Sequence, residues 1–457
     1  MVGDMRYRAA GRLARLMSAL FARNFEKNLK MLLFLLDFVA VHPDARDSLR
    51  KVKWYYTHEH SLYKLLLRLS RELNHNAKKA LMEFILNAWF LNKKIREQFR
   101  EEEGFNPPQL LVISPTERCN LRCEGCWAGM YPREKDMNCV LLERIIAEAQ
   151  REMGISFFVI SGGEPFVRED LLDLYEKFDR TFFMIYTNGT LIDDDTVHRL
   201  AQLGNVAPML SLDGFETETD ARRGRDVYRK VVRTMEMLRD AGILFGFSTT
   251  ADRLNVDIIS SRDFIGHMLD KGCFWGWYFH YIPIGRDPDP ERMLLPHQRN
   301  ELRQRICEAR RTLPILLVDF WNDGPQVGGC IAGGRYYLHV NCSGDVEPCV
   351  FCHFAVENVK SRSLREALRH PFLAEMRKNI PYDGNTLRPC MLIDRPWIFR
   401  DYYRRYRPYP THPGAESLVG GLTKELDKYA QGVAQILDRV WENGDYEKIV
   451  HVPEEEM

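Results

Sequence analysis

The sequence has no surplus charge of either sign: its 457 residues carry 64 Lys plus Arg and 64 Asp plus Glu. A protein that grips a polyanion needs a basic footprint, so nucleic acid is not an expected partner. Long apolar runs are also missing. The strongest, Met31 to Val41, is about half the length that crosses a bilayer and is interrupted by Asp37, so no spanning helix is expected. Neither a secretory signal, an internal repeat nor a low-complexity tract is recognisable, which points to a cytoplasmic chain, soluble or peripheral on the membrane face. Cysteine, by contrast, is plentiful. Eleven cysteines without a secretory signal argue against a disulfide framework and for metal ligation in a reducing compartment.

A chain this long exceeds what one hydrophobic core usually serves, so two or three folding units are expected. Residues 1–104 read as a helical region, with apolar residues at helical spacing such as Leu62, Leu65, Leu66, Leu69 and Leu73. Gly104-Phe-Asn-Pro-Pro108 then breaks the helical pattern. Over 105–290, short apolar strands alternate with amphipathic helices: Leu110 to Ser114, Ile155 to Ser161, Phe182 to Thr187, Pro208 to Leu212, Leu244 to Thr249 and Trp275 to Ile282. The expected fold class is α/β, a parallel sheet of six βα units forming a partial barrel. Residues 291–400 read as a linker followed by a small Cys-rich domain, and 401–457 as a helical tail.

The segment Thr116-Glu-Arg-Cys119-Asn-Leu-Arg-Cys123-Glu-Gly-Cys126 places three thiols directly after the first expected strand. Three thiolates leave one iron of a four-iron cubane open to an external ligand, whereas ferredoxin-type carriers use four cysteines. A zinc knuckle and three structural thiols are the other readings of the spacing. The Cys-x-x-x-Cys-x-x-Cys pattern resembles the signature of the radical S-adenosylmethionine (radical SAM) superfamily over about 110–285. The resemblance implies that Cys119, Cys123 and Cys126 hold a [4Fe-4S] cluster whose open iron chelates the methionine moiety of S-adenosylmethionine. An electron from a reductant such as flavodoxin or ferredoxin then cleaves the sulfonium, and the 5′-deoxyadenosyl radical abstracts hydrogen from an organic substrate. The protein's share is binding, orientation and exclusion of quenching partners.

Each further motif falls at the C-terminal end of an expected strand, where barrels place ligand loops. Ser161-Gly162-Gly163-Glu164-Pro165 follows strand two; its glycines permit close backbone approach and Glu164 is expected to pair with the ammonium of the cofactor. The alternative is a tight turn with a helix-capping Glu. Thr187-Asn188-Gly189, Ser211-Leu-Asp213 and Ser248 end strands three, four and five, and the resemblance makes them ribose and carboxylate contacts, although Asn-Gly and Asp-Gly are also ordinary turns. Arg223, or its neighbour Arg222, is expected to meet a carboxylate, against the reading of a solvated charge run. One departure stands out: Gly125 occupies the place before the third cysteine where superfamily members commonly carry an aromatic residue. Trp127 is either the substitute stacking face or core.

Cys330, Cys342, Cys349, Cys352 and Cys390 crowd about sixty residues, far above background usage. The phrases Cys330-Ile-Ala-Gly and Gly344-Asp-Val-Glu-Pro-Cys349 resemble the SPASM or twitch extension that carries auxiliary iron-sulfur clusters in this superfamily. The resemblance implies one auxiliary cluster on Cys330, Cys349, Cys390 and Cys352, with Cys342 the weaker candidate; a zinc ribbon is the competing reading. Cys139, Cys273 and Cys307 are isolated and read as small buried hydrophobes. His280 reads as a satisfied core histidine at the rim, and His353 as a weak alternative ligand.

The first thirty residues interleave seven basic side chains with Leu13, Leu16, Met17, Leu20, Phe21 and Phe25, the composition of a helix lying on an anionic membrane; a helical cap on the barrel is the other reading. Over the whole chain, phrases such as Phe320-Trp-Asn-Asp-Gly324 and Leu387-Arg-Pro-Cys390 resemble bacterial radical proteins linked to joining lipid tails into membrane-spanning lipids. A lipid substrate with peripheral membrane contact is therefore one expectation. The alternatives are a peptide- or protein-modifying maturase and, outside the enzymes, an iron-sulfur electron carrier or scaffold.

Overall fold

The computed structural model describes residues 50–446, apart from 51, 52, 59 and 132–134. The expected membrane-lying helix of residues 1–30 and the apolar run 31–41 lie outside the described residues.

All six anticipated strands form, in chain order: β1 (Leu110–Thr116), β2 (Phe157–Gly162), β3 (Phe182–Thr187), β4 (Val206–Ser211), β5 (Gly246–Ala251) and β6 (Trp275–His280). Each pairs in parallel with the next, as right-handed βα crossovers require. The sheet extends beyond the sequence reading at both edges. β7 (Leu316–Asp319) adds beside β6, and β8 (Tyr337–Val340) returns from the Cys-rich segment to lie parallel on the free edge of β1. β9 (Asp345–Glu347) follows it antiparallel, so the Cys-rich segment is continuous with the barrel sheet. The four-residue loop 341–344 between them uses the positive φ of Gly344.

The helical region consists of α1 (Ser61–Glu72), α2 (His75–Leu86) and α3 (Lys93–Glu103). Leu65 on α1, Leu73 just after it and Ala77 on α2 are buried with Phe182, Ala207, Leu244 and Phe274, residues at or near the starts of strands. For 61–86 the structure therefore gives the cap reading: these helices close the end of the sheet opposite the motif loops. Gly104, left-handed at φ 76°, stops α3 where the sequence breaks.

Between strands, α4 (Cys139–Met153) starts from an Asn138 cap and ends on a left-handed Gly154, and it buries Leu142, Ile145, Ile146, Ala149 and Met153 against the sheet. After β4 comes α5 (Glu216–Arg223), whose last turn carries the two arginines of the site. α6 (Pro296–Thr312) packs against the C-terminal helix α7 (Thr423–Glu442). Beneath them Arg299 and Asp394 form an ion pair with no exposure, which ties α6 to the end of the Cys-rich segment.

Candidate active site

The ends of β1 to β6 converge on one cleft enclosing about 1450 Å³ of space, its open mouth included. Cys119, Cys123 and Cys126 lie on the loop after β1 and line it, together with Ser161, Gly162, Gly163, Thr187, Asn188, Ser211, Arg223 and Ser248. Their convergence was expected from order along the chain. Glu164, Pro165, Gly189 and Asp213 do not line the cleft; they brace the residues that do.

The cluster loop is held mostly by backbone bonds. Gly163 and Glu164 donate their N–H groups to the carbonyls of Thr116 (2.9 Å) and Arg118 (2.7 Å). The chains approach so closely that a Cβ on Gly163 would sit 2.2 Å from the Arg118 oxygen. From the far side the Arg286 N–H reaches the Cys126 carbonyl at 3.0 Å, while its guanidinium donates to the carbonyls of Cys123 (3.1 Å) and Gly129 (3.0 Å). Sequence reading missed Arg286, although Ile284-Gly285-Arg286 directly follows the last expected strand. Gly285, at φ 78°, is required there because a Cβ would strike the Cys126 carbonyl.

Glu164 is fully buried. It accepts hydrogen bonds from Phe166 N–H (3.0 Å), the Thr187 hydroxyl (2.7 Å) and Asn188 N–H (2.7 Å), tying the β2 loop to the end of β3. Burial pushes its carboxyl up to about 7 against these donors. The expected ammonium partner is thus engaged with backbone and hydroxyl groups. The helix-capping alternative is realised as well, since its side chain caps the short Pro165–Val167 turn.

Asp213 is likewise internal. Its two oxygens accept from Arg222 (2.7 Å) and Arg223 (2.6 Å), and Thr250 N–H adds a third bond at 3.2 Å. Burial works to raise this carboxyl, but the two guanidiniums outweigh it and hold it at about 2. The arginines are the cleft-facing members of this triad. Arg222 also exchanges backbone and side-chain bonds with Glu124 inside the cluster loop. Both are largely buried rather than a solvated charge run.

The thiols suit an iron-sulfur cluster. Cys119 is pushed up to about 11 by burial, partly offset by the Leu121 N–H at 3.4 Å from its sulfur, and raised further by Glu164, Cys123 and Cys126. Cys126 is raised by burial and by Cys123, while Arg222 and Arg286 oppose the rise. Cys119 and Cys126 feel their neighbouring thiols, with two guanidiniums close by, a set whose chemistry suits a shared cationic centre, although among the described residues no three such side chains converge tightly enough to hold a single metal ion. In the Cys-rich segment, burial and then Cys390 and Cys330 raise Cys349, and burial and then Cys349 raise Cys352. Leu392 N–H points at the Cys390 sulfur, 3.4 Å away. This set fits a second centre. Cys342 stands apart, facing Glu117. Of the isolated cysteines, Cys273 is buried as expected, but Cys139 is exposed and its thiol donates to Asp170.

Deeper in, the cleft loses polarity. Leu110, Val112, Tyr186, Trp277, Phe279 and Phe320 line it, with Tyr337 and Phe351 toward the Cys-rich segment. Trp277 and Phe279 stack at 5.9 Å. Trp127 lines the cleft and packs edge-on against His339 and Phe351. His280 also reaches the lining, stacked on Trp321 and hydrogen-bonded to Asp319 at 3.1 Å; its Nδ1 has no partner among the described residues. The His353 ring donates from Nε2 to the Val350 carbonyl (3.1 Å) and lies tilted against His412, and its Nδ1 has no partner among the described residues.

Comparison with known proteins agrees with this layout. A profile for the radical SAM superfamily matches residues 113–257, and one for an iron-sulfur cluster-binding domain matches 330–394. The mycofactocin maturase MftC of Mycobacterium tuberculosis is 33% identical over 309 residues, which cover 61% of this chain and 76% of that protein. The PqqA peptide cyclase of Gluconobacter oxydans is 26% identical, covering 64% and 85%, and an AdoMet-dependent heme synthase of Oleidesulfovibrio alaskensis is 24% identical, covering 62% and 80%. Among solved structures, Streptococcus suis SuiB bound to S-adenosylmethionine superimposes with a TM-score of 0.53 at 17% identity, over 66% of this chain and 76% of that one; the likeness shows a shared fold.

Proposed function

The chain is a member of the radical SAM superfamily with an iron-sulfur cluster-binding extension, and from that premise we propose that Cys119, Cys123 and Cys126 hold the catalytic cluster and that the substrate is an apolar chain attacked at an unactivated C–H bond. When bound, the cluster and S-adenosylmethionine supply a 5′-deoxyadenosyl radical. This chain's residues do the rest. Ser161, Thr187, Asn188, Ser211, Ser248 and Arg223 would contact the cofactor's polar groups, with Asp213 and Glu164 bracing Arg223, Thr187 and Asn188. A second cluster sits on Cys330, Cys349 and Cys390, with Cys352 as the fourth ligand.

The observation that carries the substrate reading is the aromatic and aliphatic lining below the cysteines. Such walls exclude water and offer no acid or base to a saturated carbon, which none could address anyway. The finer reading is that two lipid acyl tails are joined at their tips into one long diacid. The basic and apolar composition of residues 1–30 supports delivery from a membrane surface. Among the described residues no helix is long and apolar enough to cross a membrane. The second reading, a peptide- or protein-modifying maturase, is favoured by the names of the mycofactocin and PqqA relatives.

Anaerobic reconstitution tests the first step. About eight irons per chain should fall to about four in Cys119→Ala/Cys123→Ala/Cys126→Ala, with dithionite-driven 5′-deoxyadenosine lost. Zinc in place of iron, or no nucleoside from the unaltered protein, overturns it. Expression in a lipid-producing host then separates the substrates: long diacids support the acyl reading, and unchanged lipids overturn it in favour of a peptide.

A further inference from the structure

Tyr337 and Tyr382 lie within the Cys-rich segment, between Cys330 and Cys390. Tyr337 begins β8; its buried side chain lines the central cavity, and its hydroxyl lies beside the Cys349 thiol. Tyr382 comes from the segment after the helix Pro371–Asn379. There a Cβ on Gly329 would lie 3.2 Å from Ile380 and 3.3 Å from Pro381, so the backbone leading into Cys330 touches the residues leading into Tyr382. The Tyr382 hydroxyl is buried and has no hydrogen-bond partner among the described residues.

Leaving a buried hydroxyl unpaired is costly, so a folded chain normally supplies an acceptor. Thiolate and sulfide sulfurs are acceptors, and among the described residues no other acceptor pairs with the Tyr382 hydroxyl. We propose that Tyr337 and Tyr382 donate hydrogen bonds to the sulfurs of the auxiliary cluster and thereby raise its reduction potential. The inference rests on the auxiliary ligands assigned above. A tyrosine hydroxyl carries its hydrogen at neutral pH, so both phenols are donors. Reduction places extra negative charge on the sulfurs; O–H groups aimed at them stabilise the reduced state, as hydrogen bonds to cluster sulfurs do generally. Tyr337 belongs to both sites, one ring forming cavity wall and cluster surround. It is a positioning and tuning residue, not a ligand.

The test is an EPR-monitored redox titration of the full chain carrying Cys119→Ala/Cys123→Ala/Cys126→Ala, so that only the auxiliary signal is present. Tyr337→Phe and Tyr382→Phe should each lower the midpoint potential, and the double variant should lower it further, with iron and sulfide per chain unchanged. Tyr336→Phe, whose ring instead lies under the Arg335 guanidinium, should leave it in place. An unmoved potential in both single variants at full iron content overturns the proposal. Iron loss in Tyr382→Phe also overturns it, because it would make the phenol a ligand. No iron in the alanine background would instead fail the auxiliary assignment, and this proposal with it. Repeating the titration in the otherwise unaltered chain, following both reduced signals, removes dependence on the alanine background.

Discussion

Replacing Asp213 by asparagine removes one negative charge from between two guanidiniums that have little access to water. In the native chain the carboxylate stands at about 2 against an ordinary 3.8, even though burial alone would drive it the other way. Such a depression corresponds to roughly 2–3 kcal/mol of stability. Because the folded value is the lower one, that stability is fully present above about 4 and is lost as pH falls through about 2. At neutral pH Asp213→Asn forfeits all of it and leaves Arg222 and Arg223 facing one another, so the cost should reach about 3–5 kcal/mol, as for other broken buried pairs. For 457 residues the entropy of unfolding is roughly 1 kcal/mol per kelvin, so calorimetry of the metal-free protein should show a midpoint lowered by about 3–5 °C. The same substitution made on top of Arg222→Met/Arg223→Met should cost almost nothing, since no buried cation is left unpaired. A midpoint within 1 °C of the parent, or an equal loss in the arginine-free background, refutes the claim that Asp213 serves the arginines.

Glu164→Gln tests the opposite sign. The native carboxyl is raised to about 7, so its contribution is present below about 4.5 and is lost as pH rises through 7, a span of about 3 kcal/mol. Thermal midpoints of metal-free Glu164→Gln minus parent should therefore climb between pH 5 and 7; a flat difference would show the carboxyl is not perturbed. Gly163→Ala places a methyl against the Arg118 carbonyl and should shift the cluster loop, cutting reconstituted iron from about eight to about four per chain. Iron retained at eight would mean that the loop yields freely. Phe279→Ser opens the aromatic wall and adds a hydroxyl beside Trp277 and Phe320. Iron content and uncoupled 5′-deoxyadenosine formation should persist while the yield of product falls at least tenfold. Full product yield would remove the lining from substrate recognition.

How much of this was legible in the sequence depends on the range over which each residue acts. The six strands were readable because buried parallel strands between amphipathic helices repeat a local pattern, and the ligand loops followed because turn chemistry marks strand ends. Partners distant along the chain left no such mark. Nothing near Asp213 says that it neutralises Arg222 and Arg223 rather than touching a ribose, and nothing near Arg286 says that it holds carbonyls more than 150 residues earlier. β8 was hidden for a related reason. A four-residue strand is too short for periodicity to announce, and its place beside β1 is set by pairing, not by local propensity.

The cavity lining was hidden differently. On β6, Trp275, Trp277 and Phe279 alternate with Gly276, Tyr278 and His280, a period-two pattern readable from sequence. In a closed barrel the inward set of such a pattern fills the core; in an open sheet the same residues wall a cavity. The pattern is identical in both, so only the observed opening between β7 and the strands beyond β8, which stand at opposite edges of the sheet, distinguishes them. That ambiguity matters chemically. Trp277 and Phe279 are available to a substrate here because β8 pairs with β1 instead of closing on β7, and the strand that leaves the cavity open is also the one that sets Tyr337 beside Cys349. Opening the cavity and joining it to the second cysteine group are thus one topological event, which is why substitutions at Tyr337 should be felt at both.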